Sequence, residues 1–259
     1  MFNLNFFGKK KVSKFDPTFL LCNKKNFFSS EAYKLLRTNI MFTVPDEGKC
    51  RVIGITSATR GEGKSTTAIN LSYVIAETGK KVLLIDGDLR LPSVSKKLGI
   101  PTAPGLSDAI ATSEDALSVI RKTDLENWDI LPAGNIPPNP SEMLGSAQMA
   151  AFLTRLQELY DFIVVDLPPV TIVSDALALS PILSGIALVI RSNYSKRREL
   201  HASLKSLELG KVKILGVIVN AKKRSISSNY RYKRYSHDGY YGYSTPASSE
   251  TNNSSENTK

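Results

Sequence analysis

Ser57-Ala-Thr-Arg-Gly-Glu-Gly-Lys-Ser-Thr66 carries the residue types that hold a polyphosphate, at the spacing such chemistry needs. It fits the pattern G-x-x-x-x-G-K-[ST], except that Ala58 stands in the first glycine position. Gly61 and Gly63 let successive backbone N–H groups turn toward phosphate oxygens. A helix starting at Lys64 would add the partial positive charge of its N-terminus. Lys64 is expected to bridge the β- and γ-phosphates, and the Ser65 hydroxyl to ligate Mg²⁺. The nucleotide-binding set is therefore Thr59, Arg60, Gly61, Glu62, Gly63, Lys64, Ser65 and Thr66. A glycine-rich turn with a chance lysine would not need the apolar strand before it and the helix after it.

Two later runs end in carboxylates. Val82-Leu-Leu-Ile-Asp-Gly-Asp-Leu-Arg90 places Asp86 and Asp88 at the end of one apolar strand, and Phe162-Ile-Val-Val-Asp166 does the same for another. One aspartate at a strand end can be a loop cap. Three of them converge on one ligand crevice if the strands are parallel, because their carboxyl ends share an edge. Phosphoryl transfer needs positioned charge and one group to accept the nucleophile's proton. Lys64, Asp86, Asp88 and Arg90 form the catalytic set. Asp86 is the preferred base, with Ser65, Asp88 and Asp166 on the metal, although the motif leaves the division between Asp86 and Asp88 open. Arg90 would steady the aspartate pair or the product phosphate.

The elements that must position these groups alternate. Strands are expected at 52–56, 81–85, 129–131, 162–165, 186–190 and 214–219. Helices are expected from Ser29/Ser30 to Phe42, over 64–77, in short pieces at 92–98, 107–111 and 114–121, then 174–181 and 196–209. Asn139-Pro140 opens what reads as one long helix to about Tyr160, with proline at its first position. Continuous apolar strands alternating with helices predict a mostly parallel α/β sheet with helices on both faces.

Charge is concentrated at the ends. Of the net +10, residues 1–25 hold +5 and residues 221–259 hold +4. The chain is thus expected to divide into a basic arm (1–28), a folded domain (29–220) and a disordered tail (221–259). Basic ends suit an anionic membrane surface, and nucleic acid is not expected as a partner. Cys22 and Cys50 show no metal-ligand or disulfide spacing, and no apolar run reaches the length that spans a bilayer. A cytoplasmic protein is expected. The tail holds six of the ten tyrosines, at Tyr230, Tyr232, Tyr235, Tyr240, Tyr241 and Tyr243, among Lys, Arg, Ser and Gly. This segment has neither strand nor helix periodicity, so its phenols are expected to be exposed.

Together these segments resemble the bacterial tyrosine kinases of capsular and exopolysaccharide synthesis. The phosphate loop, the D-G-D-L-R run, the V-V-D-L-P-P run, Leu131-Pro-Ala-Gly-Asn-Ile-Pro-Pro-Asn-Pro-Ser-Glu142 and the tyrosine cluster carry the resemblance. It implies a P-loop NTPase fold, ATP and Mg²⁺ as cofactors, and autophosphorylation of the tail tyrosines, often in a neighbouring copy. It also implies the split form, in which a separate membrane-embedded polysaccharide co-polymerase recruits and activates the kinase at the inner face of the plasma membrane. A ring-shaped homo-oligomer and a cognate phosphotyrosine phosphatase follow from the same likeness. The family's ring contact, E-x-x-R-x-x-R, reads here as Glu31, Lys34 and Arg37, with lysine replacing the first arginine. Asn220 matches the position that contacts the nucleotide base. The alternative is a partitioning-type ATPase switch without tyrosine transfer; those relatives carry a signature lysine where this chain has Thr59.

Overall fold

Four-to-seven-residue runs rich in Val, Ile and Leu are too short for helices that could bury themselves, and flanking polar turns stop them from extending. In the computed structural model, which describes residues 20, 27–45, 48–112 and 116–221, these runs and one two-residue edge strand form one sheet. Its strands are β1 (Arg51–Ser57), β2 (Val82–Asp86), β3 (Arg121–Lys122), β4 (Trp128–Leu131), β5 (Phe162–Asp166), β6 (Gly185–Arg191) and β7 (Ile214–Asn220). Their order across the sheet is β3-β4-β2-β5-β1-β6-β7. All pairings are parallel except the β3–β4 edge, so six strands end at one side.

Alternate side chains feed two apolar layers, as the period of a strand requires. On one face Leu83, Ile85, Ile163, Val165 and Leu188 join Phe152 and Leu156 from α7 (Ala147–Gln157) and Leu207 from α9 (Arg197–Leu209). On the other, Ile53, Ile55, Leu84 and Val164 meet Ile69 and Val74 from α2 (Lys64–Ala76) and Ile40 from α1 (Phe27–Thr43). The remaining helices are α3 (Val94–Leu98), α4 (Leu106–Thr112), α5 (Ala116–Val119), α6 (Pro140–Leu144) and α8 (Asp175–Leu179). The expected parallel α/β architecture is the one observed. Among the described residues, no helix is long and apolar enough to cross a membrane.

Three local expectations are corrected. The single helix predicted from Pro140 to Tyr160 is two, α6 and α7, broken at Gly145 and Ser146. The Ser146 hydroxyl accepts from Met149 N at 3.1 Å and caps α7, a local bond that outcompetes continuation of the helix. The pattern at 114–121 is only partly helical, because Arg121 and Lys122 pair antiparallel with Ile130 and Asp129. Helix α1 begins at Phe27, inside the expected basic arm. Apart from Leu20, Phe27 and Phe28, that arm lies outside the described residues. The chain divides into two units at Ala221, and all of the second, including the tyrosine cluster, also lies outside them.

Replacing Ser146 with alanine removes the α7 cap and should cost about 1 kcal/mol. It would appear as a lowered urea midpoint with an unchanged slope.

Candidate active site

The loop between β1 and α2 folds as its glycines dictate. Gly61 and Gly63 have φ of 82° and 98°, a left-handed conformation that a side chain would strain. Space is as restrictive as torsion at Gly63: a Cβ there would lie 2.0 Å from Asn220 Nδ2. Asn220 ends β7 and donates from that same nitrogen to the Glu62 carbonyl at 3.1 Å. The residue expected near the base therefore touches the phosphate loop directly. Thr66 lies in the first turn of α2, where its carbonyl accepts from Asn70 Nδ2 at 2.8 Å.

Parallel register sets the carboxylates. Asp86 and Asp166 are partners across β2 and β5, so their side chains leave the same face at neighbouring strand ends. Lys64 Nζ reaches Asp88 Oδ2 at 2.9 Å, Asp166 Oδ1 at 3.3 Å and Ser65 Oγ at 3.3 Å. Burial works against the Lys64 charge, but Asp166 and Asp88 outweigh it and its pKa is raised. Burial also raises Asp166, opposed by Lys64 and by a hydrogen bond from Ser65. Asp86 is pushed up to about 8, first by burial and then by the neighbouring Asp166 charge. Its Oδ2 accepts from Ser93 N at 3.1 Å and Val94 N at 3.0 Å, while its buried Oδ1 accepts no hydrogen bond.

Several contributors had no signal in the sequence pattern. Ser93 Oγ donates to Ser65 Oγ at 2.8 Å. Glu62, expected only as a loop member, is buried; it accepts from Thr59 N at 2.8 Å and from the Ser195 hydroxyl. Tyr194 donates to the carbonyl of Arg60 at 3.1 Å, and Arg191 Nη1 to that of Gly61 at 3.3 Å. Arg191 lies over the Tyr194 ring. The loop after β6 thus braces the outer side of the phosphate loop, and the Arg60 side chain stays exposed.

Arg90 departs from expectation. Its Nε and Nη2 donate to Asp175 at 3.1 and 3.2 Å, and Nη2 to Ser141 Oγ at 2.8 Å, instead of bonding the aspartate pair. The reason is the fully buried Asp175 carboxylate at the start of α8, which needs a countercharge. On α1, Glu31 and Lys34 pair with each other at 2.9 Å, and Arg37 donates to the Val74 carbonyl at 2.7 Å. The structure thus places Lys64, Ser65, Asp86, Asp88 and Asp166 in one site, with Asn220 against its loop. Arg90 and the α1 trio lie in other networks.

The donor set suits Mg²⁺. A hydroxyl and two carboxylates, from Ser65, Asp88 and Asp166, converge around Lys64 Nζ, and all are hard oxygen ligands. Among the described residues, no group of three or more His, Cys, Asp or Glu side chains could hold a metal by itself. Mg²⁺ does not require one, since it completes its octahedron with phosphate oxygens and water.

The family model described as "AAA domain" matches residues 50–197. The chain is 36% identical over 234 residues to the tyrosine-protein kinase YwqD of Bacillus subtilis (strain 168), covering 90% of this chain and 95% of that protein. It is 34% identical over 233 residues to the putative tyrosine-protein kinase CapB of Staphylococcus aureus, covering 90% and 98%. Among solved structures, the kinase domain of the Escherichia coli tyrosine kinase ETK superposes with a TM-score of 0.76 at 31% identity, covering 84% of this chain and 85% of that one.

In the nucleotide-free protein, Asp86 with a pKa of about 8 keeps a proton that the unfolded chain, at 3.8, gives up. The folded state therefore binds more protons between these values, and stability must fall as pH rises across the window. The contribution is fully present below the unfolded value and lost above the folded one. Asp86→Asn, which keeps the acceptor for Ser93 and Val94, should flatten that decline in urea-unfolding free energy. An unchanged slope would mean that Asp86 is ionised in the folded protein.

Proposed function

We propose a function from an established premise: the chain belongs to the bacterial tyrosine kinases, and it is a protein-tyrosine kinase. In this reading it transfers the γ-phosphoryl group of ATP to Tyr230, Tyr232, Tyr235, Tyr240, Tyr241 and Tyr243, those of a neighbouring copy in preference to its own. It thereby regulates capsular or exopolysaccharide synthesis and export. The observation that carries this reading is the meeting of Lys64 with Asp88, Asp166 and Ser65 at the carboxyl edge of the sheet.

ATP lies with its phosphates in the loop 59–66 and its base toward Asn220. Lys64 exchanges Asp88 and Asp166 for β- and γ-phosphate oxygens. Ser65, Asp88 and Asp166 would hold Mg²⁺, which would supply positive charge against the transferring group. The Mg²⁺ charge would first favour loss of the proton that Asp86 carries in the nucleotide-free protein. The tyrosine oxygen then bonds to the γ-phosphorus while the bond from that phosphorus to the ADP oxygen breaks, and Asp86 takes the phenolic proton on Oδ1, which accepts no hydrogen bond. The products are phosphotyrosine and ADP. Transfer of this kind is positioning plus electrostatics, with little covalent work for the protein.

The activator in this reading is a membrane-embedded polysaccharide co-polymerase that recruits the kinase to the inner face of the plasma membrane. A phosphotyrosine phosphatase resets the tail. Copies assemble through Glu31, Lys34 and Arg37, which must exchange or share their partners within the chain. From Asn220 to Tyr230 is ten residues, at most about 35 Å of extended chain, enough to reach a site in either copy.

With radiolabelled ATP and Mg²⁺, wild type should label itself. Lys64→Met should lower that by ~10²-fold or more, and truncation after Asn220 should abolish it. Phosphate release that survives truncation, with no label on wild type, would favour the ATPase switch instead. Each phosphotyrosine adds about −1.5 to −2 charge, which would turn the +4 tail to about −5 to −8. Full phosphorylation should therefore reduce oligomer mass in solution, measured against a variant with all six tyrosines changed to Phe. Identical masses would rule out the tail as a charge switch.

A further inference from the structure

We infer that Ser93 is a positioning residue, which aims the Ser65 hydroxyl at Mg²⁺ while its own backbone holds Asp86. This role rests on the kinase reading above and adds to it the group that joins the metal ligand to the base.

Ser93 stands at the N-cap position of α3. A serine there ordinarily turns its oxygen back to accept a hydrogen bond from the first turn of its own helix. Ser93 makes no such capping bond. Its hydroxyl instead reaches across to the start of α2 and donates to Ser65 Oγ at 2.8 Å. Its N–H meanwhile donates to Asp86 Oδ2 at 3.1 Å. One residue therefore touches both the hydroxyl assigned to the metal and the carboxylate assigned to the proton.

Counting lone pairs shows what the hydroxyl contact does. A serine hydroxyl has one proton to give and two lone pairs to accept with. The Ser65 proton goes to Asp166. Its oxygen accepts twice, from Ser93 at 2.8 Å and from Lys64 Nζ at 3.3 Å. The group is fully committed, so a cation can bind it only where one of these two donors leaves. Lys64 is the one to leave, because its bond is the longer and its ammonium turns to the β- and γ-phosphates when nucleotide enters. The Ser93 bond remains.

Rotation of the Ser65 hydroxyl is then blocked at two points, its proton on Asp166 and one lone pair on Ser93. The lone pair that Lys64 gives up points to the place where Asp88 and Asp166 also met the ammonium. All three oxygen ligands thus face one position. Without the Ser93 hydroxyl, Ser65 keeps its ligand atom and loses its aim.

The test uses the full chain and a fluorescent ADP titrated with Mg²⁺, so the readout is binding and not transfer. Ser93→Ala keeps the backbone bond to Asp86. It should raise the Mg²⁺ concentration at half-maximal ADP binding about tenfold, as loss of a group that orients a metal ligand does. ADP affinity in EDTA should stay at the wild-type value, and Ser93→Thr, which keeps the hydroxyl, should retain the wild-type Mg²⁺ midpoint. An unchanged midpoint in Ser93→Ala beside a raised one in Ser65→Ala overturns the role. So does an ADP affinity that falls equally with and without Mg²⁺, the mark of a merely structural residue. An unchanged midpoint in Ser65→Ala overturns the metal assignment and the Ser93 role with it. Wild type that binds ADP with Mg²⁺ yet labels no tyrosine overturns the kinase reading and leaves the Ser93 effect measured independently.

Discussion

The site depends on one ammonium shared between two carboxylates. Asp86 and Asp166 are placed side by side by the register of β2 and β5, and Asp88 follows two residues on. Three like charges at the dry end of a sheet would be self-repelling, and an uncompensated buried charge costs several kcal/mol. Lys64 answers this by bonding Asp88 and Asp166 together. Asp86 makes no hydrogen bond to the ammonium, and burial together with the Asp166 charge pushes its pKa up to about 8. A one-residue slip of β2 against β5 would turn one aspartate to the opposite face and dismantle the cluster.

That ammonium can serve only if the loop carrying it is held. The loop's inner side is fixed by β1 and by the two glycines with positive φ. Its outer side is fixed by groups from two other strands: Glu62 with Ser195, Tyr194 with the Arg60 carbonyl, and Asn220 with the Glu62 carbonyl. Asn220 therefore stands where β7, the loop and the start of the C-terminal segment meet. Crowding at Gly63 makes this contact as restrictive as the glycine torsion itself.

What could be read in the sequence follows from how local each feature is. Lys64, Ser65, Asp86, Asp88 and Asp166 lie in contiguous runs whose strand and helix context is written beside them. Their convergence needs only a parallel sheet. Arg90 and Asp175 are 85 residues apart, and a carboxylate opening a short helix reads as a cap, so nothing in the pattern joins them. The brace from Arg191, Tyr194 and Ser195 is hidden for the same reason. The break at Ser146 was local and legible in principle, but apolar periodicity on both sides of it pointed to one helix, and the cap prevailed.

Strand order also separates the tasks that phosphoryl transfer imposes. Strands β1, β6 and β7 carry the groups around the phosphate loop, and β5 and β2 carry the charge that sits against Lys64. The next strand outward, β4, contributes a loop with no titratable group in that cluster and an exposed isoleucine at its tip. Arg90 stands apart from this division: it follows Asp88 by two residues, yet its donors go to Asp175 and Ser141, so the loop after β2 is tied to the starts of α8 and α6 and not to the carboxylates around Lys64. The buried Asp175 carboxylate requires that countercharge, and the same demand keeps the guanidinium out of the charged cluster.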